Sequence, residues 1–135
     1  MFSVSVNSGD ITQITDAPGR EFSPSYSPDG KKLAYLSTSN ALNPYRNSKL
    51  NVMQWQTKKV TALAKDFDRS VTTPQWISNT SLAFSYDDFG KRKVAIIDKK
   101  GKIKDLADSL SGTTLGRPYI SGSFSANDSG KVAFT

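Results

Sequence analysis

The chain has 135 residues, a formal net charge of +6, 36% hydrophobic and 22% charged residues, and neither histidine nor cysteine. Its length suits a single domain with its own core, and the lack of cysteine excludes disulfides and thiolate-held metals. No apolar run approaches the roughly eighteen residues of a membrane-crossing helix, so no membrane span is expected.

The opening "MFSVSVNSGD" lacks the basic start and apolar block of a secretory leader. It reads as a strand under way, turning at Gly9-Asp10 into "ITQIT" (residues 11–15). Next, "SPSYSPDGKKLAYLS" (23–37) predicts two strands about a Pro-Asp-Gly turn. The alternating "LNVMQW" (50–55) and the "KKVTALA" element (58–64) supply two more. "KDFDRSV" (65–71) is short and interrupted, which predicts a connection. "TPQWISNTSLAFSY" (73–86), "KVAIID" (93–98) and "GKIKDLA" (101–107) then repeat the same series. "LADSLSG" (106–112) reads as a second connection, and "GSFSANDSGKVAFT" (122–135) as a third copy of the first hairpin. No window of a dozen residues carries a helical period.

Three hairpins therefore recur, each with an aromatic, a turn and an apolar-Ala-aromatic triplet. The aromatics are aligned as Tyr26, Trp76 and Phe124, and the triplets begin at Leu33, Leu82 and Val132, 49 and 50 positions apart. A four-stranded antiparallel unit repeating every ~40–50 residues is the signature of a β-propeller blade. One blade has two apolar faces and must stack on neighbours to bury them. The predicted fold is all-β, a partial propeller of about three blade-equivalents, where closed rings typically need four to eight. Residues 1–15 form an outer half-blade, 22–64 and 73–107 two whole blades, and 122–135 an inner half-blade.

"SYSPDGKKLAYLS" (25–37) resembles the repeat of TolB-type propellers and of the propeller domains of prolyl oligopeptidase-family serine peptidases. "DFDRSVTTPQW" (66–76) and "LGRPYISGSFSANDSGKVAFT" (115–135) are similar to the acylaminoacyl-peptidase and dipeptidyl-aminopeptidase-like branch. The resemblance implies a parent enzyme in which the propeller caps an α/β-hydrolase domain with a Ser-Asp-His triad and gates access of short peptides to it. The expected function is the non-catalytic propeller segment of such a peptidase; the alternative is a TolB-like protein-binding propeller without activity. Further blades, the hydrolase domain and peptide substrates are the partners implied, all outside these residues.

The segment itself should be inactive. Removing a serine proton needs a base, and the chain has no histidine and no G-x-S-x-G elbow. "GTTLG" (112–116), with Thr114 at its centre, reads as a loop. The adjacent carboxylates Asp66 with Asp68, and Asp87 with Asp88, are the remaining candidates for acid–base or metal chemistry. "DDFG" (87–90) suits a hairpin turn, and "ANDSG" (126–130) begins like a calcium loop but lacks its closing Glu. No catalytic residue, cofactor or metal is therefore expected.

Loops between blades lie on one face of a ring, where ligands bind. Asp68 and Arg69 in the first connection, and Arg117 and Tyr119 in the second, are the candidates to face substrate or a neighbouring domain. The lysines at 31, 32, 58, 59, 99, 100, 102 and 104 cluster in apparent turns without interleaved aromatics. That pattern suits soluble sheet edges and implies no nucleic-acid partner. The two half-blades leave unpaired edges, so the isolated chain is expected to fold poorly or self-associate. Two copies would supply strands for six blades, a homodimeric ring. Export of related sequences tilts the expected location towards the periplasm rather than the cytoplasm.

Overall fold

The structure is a computed structural model that describes residues 1–39, 46–111 and 122–135. The described residues form twelve strands: β1 (Phe2–Val4), β2 (Ile11–Gln13), β3 (Glu21–Tyr26), β4 (Lys32–Ser37), β5 (Lys49–Gln54), β6 (Val60–Ala62), β7 (Thr72–Ser78), β8 (Ser81–Asp88), β9 (Lys91–Asp98), β10 (Ile103–Leu110), β11 (Phe124–Ala126) and β12 (Val132–Phe134). They build two four-stranded sheets, β3-β4-β5-β6 and β7-β8-β9-β10, and two two-stranded ones, β1-β2 and β11-β12. Every pairing is antiparallel. No helix among the described residues is long and apolar enough to cross a membrane.

The apolar triplets explain how the sheets stack. β4 and β8 are buried on both faces, which is why "LAYL" and "LAFSY" read as nearly continuous apolar runs. Successive residues point to opposite faces. Leu33 and Tyr35 join Met53 in a cluster reached by Met1 and Ile14 beside β1-β2. Ala34 and Leu36, with Leu50 and Val52 of their own sheet, instead face the next sheet, where Trp76, Leu82, Phe84 and Ile97 complete the main core. Ala83 and Val94, on the far face of that sheet, pack with Phe124 and Leu110. The order of layers is β1-β2, β3–β6, β7–β10, β11-β12.

The first strands of the units lie side by side and are bridged by side chains. Trp76 Nε1 donates to the Ser25 carbonyl at 2.9 Å. Gln75 Nε2 donates to the Phe124 carbonyl at 3.2 Å, and the Ala126 amide donates to Gln75 Oε1 at 2.7 Å. β3 and β7 carry the same irregularity: the ladder shifts between Phe22 and Ser25, and between Thr72 and Gln75. Within it, Ser23 (φ 53°) and Thr73 (φ 49°) adopt the left-handed conformation, each just before a proline. An extra residue in a β-bulge bends its strand and tightens the twist.

Two details differ from the sequence reading. Residues of "LADSLSG" continue β10 as far as Leu110 rather than forming a connection, with register shifts between Asp105 and Ala107 and again before Leu110. Bulges on this outermost strand break the alternation that would have marked it. Phe124 is also not the counterpart of Tyr26 and Trp76. Those two pair with Leu33 and Leu82, whereas Val132 pairs with Ala126, and Phe124 sits two positions earlier on the same face. As packing residues the three diverge: Trp76 and Phe124 are buried, while Tyr26 is half-exposed and meets Trp55 edge-on at 5.2 Å.

Gly19, between the first two layers of chain, leaves no room for a side chain: an added Cβ would overlap the Thr38 carbonyl. Since the obstacle is backbone, Gly19→Ala is expected to destabilise the fold by about 1–3 kcal/mol, the usual range for overpacking. Urea unfolding of the variant would measure it.

Candidate functional site

Two of the four sequence candidates, Asp68 and Arg69, lie on the rim where the connection between the two four-stranded sheets meets the β8–β9 hairpin. The connection is held from beneath. Ser48 Oγ donates to the Val71 carbonyl at 2.6 Å, Lys49 Nζ to the Phe67 carbonyl at 2.8 Å, and the Val71 amide to the Ser48 carbonyl at 3.1 Å. Phe67 plugs it into the core, meeting Phe84 and Tyr86 edge-on at 5.7 and 4.9 Å. Asp68 and Arg69 are thereby presented at the surface.

Their roles differ. Asp68 is almost wholly exposed, touched by Asn47 Nδ2 at 3.3 Å and by Arg69 Nη1 at 3.6 Å. Arg69 is committed to the protein: Nε donates to Asp88 Oδ1 at 2.9 Å and Nη1 to the Asp68 carbonyl at 2.6 Å. Asp88 also accepts from Lys93 Nζ at 2.8 Å, and Asp87 takes a two-pronged contact from Arg92 at 2.9 and 3.1 Å. Between these pairs the two-residue turn Phe89-Gly90 has φ values of 46° and 76°, as a tight hairpin requires. It leaves the Phe89 ring 91% exposed, with the Arg69 guanidinium 5.8 Å from its centre.

The carboxylates at 87 and 88 are therefore ion-paired strand ends flanking the turn, rather than turn residues. The hydrogen bond from Lys93, followed by that from Arg69, holds the Asp88 carboxyl below the usual carboxylate range. Asp88 in turn pushes the Lys93 ammonium upward. Burial raises the Tyr86 phenol, whose hydroxyl donates to Asp105 Oδ1 at 2.8 Å and adds to the shift. A lowered folded-state carboxyl stabilises the fold above its unfolded value of about 3.9 and loses that contribution as pH falls. Hydrogen bonds also lower Asp29, from Ser27 and the Lys31 amide, and Asp98, from the Lys102 and Lys100 amides. Urea midpoints are thus expected to drop as pH falls below about 4, with Asp88→Asn giving a shallower drop than the parent chain.

Arg117 and Tyr119 lie outside the described residues, as does Thr114. "ANDSG" is a turn in which Asn127 Oδ1 accepts from the Lys131 amide and the Ser129 hydroxyl, both at 2.9 Å. Among the described residues no three acidic side chains gather as a metal site would require. What the rim offers is recognition chemistry: an exposed carboxylate, an exposed aromatic and a fixed guanidinium. Sequence reasoning named Asp88 only as a turn carboxylate, without its ion pairs, and missed Lys93 and Phe89. The complementary "DD" and "KRK" flanking a two-residue turn were the available signal.

No family model matches the chain. Over 105 residues, 76% of its length, it is 32% identical to a probable dipeptidyl-peptidase 5 of Aspergillus niger. Over 88 residues, 65% of its length, it is 28% identical to a protein of the same name from Emericella nidulans. The chain spans only 14% and 12% of these two relatives. It is thus an all-β segment distantly homologous to part of a peptidase.

Proposed function

We propose that the chain is part of a TolB-like β-propeller, the non-catalytic propeller of a prolyl oligopeptidase-like serine peptidase. In this reading the four-stranded sheets are blades, with residues 22–64 and 73–107 covering two of them and residues 1–15 and 122–135 two halves. Their stack scaffolds an α/β-hydrolase domain supplied by the parent protein and gates the approach of short peptides. The observation that carries it is the arrangement of β3, β7 and β11. These first strands stand side by side in consecutive, identically ordered sheets, as blades do around an axis. Similarity to dipeptidyl-peptidase 5 supports the peptidase context.

On this reading Asp68 and Phe89 face the route to the hydrolase, while Arg69 fixes the loop that presents them. The chain has no histidine and no G-x-S-x-G elbow, so the purified polypeptide is expected to give no turnover of dipeptidyl or acylaminoacyl anilides. The genomic DNA beyond the Thr135 codon is the direct test. Further repeat hairpins followed by G-x-S-x-G, an Asp and a His are expected. A stop codon after a few blades would contradict the peptidase assignment and favour the TolB-like binding propeller.

A further inference from the structure

The core between the two full sheets opens at its outer edge. There a groove of about 470 Å³ lies between β6 with its following connection on one side and the β9–β10 turn on the other. That volume falls within the roughly 300–1,000 Å³ of ligand sites. The two walls approach each other at Gly101, where an added Cβ would lie 4.0 Å from the Ala64 amide nitrogen. Leu63, Ala64, Phe67 and Ile103 supply the apolar lining, and all four belong to the main core or pack against it. A smaller hollow of about 100 Å³, lined also by Lys32, Trp76 and Asn79, adjoins the groove and shares Thr61, Leu63 and Lys99 with it. Both walls come from complete sheets and the connection between them.

The charge around the groove is one-sided. Lys65 on one wall, and Lys99 and Lys100 on the other, line it against a single carboxylate, Asp66. All three lysines are exposed, and none of them takes part in the ion pairs among the described residues. The turn's own carboxylate, Asp98, is engaged by the backbone: Oδ1 accepts from the Lys100 amide at 2.8 Å and from the Lys102 amide at 3.0 Å. At the other end of β9 the cations are instead neutralised, Arg69 and Lys93 by Asp88 and Arg92 by Asp87.

We propose that this groove binds an acidic segment of another protein. Its carboxylates meet the ammonium groups of Lys65, Lys99 and Lys100, and an apolar side chain rests against Leu63 and Ile103. Charge complementarity selects this occupant. An anionic amphiphile offers one head group, whereas cations on both walls call for several spaced carboxylates. A nucleic acid would leave the apolar lining unused. Phe67, the aromatic of that lining, is held edge-on by Phe84 and Tyr86 and is not offered for stacking on a base. The inference concerns the outer edge of the stack and does not rest on the peptidase reading, which the downstream DNA decides separately.

The probe is a fluorescein-labelled peptide of alternating Asp and Leu, titrated with the chain and read by anisotropy. Saturable binding is expected. Lys99→Glu combined with Lys100→Glu replaces two attractions by repulsions and should weaken it about tenfold. Lys59→Glu combined with Lys131→Glu changes the net charge equally at exposed positions outside the groove, and should leave affinity within about twofold. A peptide with Ser in place of Leu should also bind about tenfold more weakly. In the isotopically labelled chain, peptide-induced shifts should gather in residues 61–67 and 99–103. No saturable binding, equal losses from the two double variants, or a Ser peptide binding as tightly as the Leu peptide would overturn the proposal. So would tighter binding of a single-stranded oligonucleotide of equal charge.

Discussion

Phe84→Ala is expected to cost about 3–5 kcal/mol, the range for truncating a buried aromatic. Phe84 is fully buried at the middle of β8 and forms part of the core between the two four-stranded sheets. Its ring meets Phe67 at 5.7 Å and Tyr86 at 5.9 Å, so it also braces the connection that carries Asp68 and Arg69. Truncation leaves a cavity whose walls are β-strands fixed by their ladders, which limits collapse. Phe84→Leu keeps most of the volume and is expected to cost clearly less. Urea unfolding with an unchanged denaturant slope would show that stability, rather than the extent of unfolding, has moved. An Ala variant as stable as the parent would mean that the two sheets do not share this core.

Gln75→Ala acts through a different mechanism. One side chain serves two backbone groups of β11, accepting from the Ala126 amide and donating to the Phe124 carbonyl. Removing it strands a donor and an acceptor in a part-buried seam, with a cost of about 1–3 kcal/mol for an unsatisfied group. The loss should fall mainly on the β7–β11 junction. Hydrogen exchange is expected to quicken in β11-β12 while β4 and β8 stay protected. Gln75→Glu separates the two bonds, since a carboxylate still accepts from Ala126 but no longer donates to Phe124. Its exchange rates should fall between the parent and the Ala variant.

These two residues show which features the sequence carried openly. The β3–β4 hairpin was legible because Pro28-Asp29-Gly30 is turn chemistry, and Gly30 does adopt φ 67°. β4 and β8 were legible because burial on both faces leaves an unbroken apolar run. The outer half of β10 was not, because Asp105 and Asp108 face solvent and two register shifts erase the period of two. The Phe124 alignment failed for a related reason: residues two apart share a face, so spacing alone leaves the register open by two. At the rim, the sequence pointed to Asp68 and Arg69 as connection residues. It gave no local sign that Asp88, nineteen positions away, binds Arg69. Contacts between sheets, such as Trp76 to Ser25 at a separation of 51, likewise have no local signature.

The stacking of successive sheets through their first strands is what every functional conclusion depends on. Nuclear Overhauser contacts in the isotopically labelled chain measure it most directly. Contacts are expected from the Trp76 indole NH to Ser25, and from the Gln75 side-chain amide to Phe124, both present in the same folded species. A well-folded spectrum in which β3, β7 and β11 show only contacts within their own hairpins would contradict it.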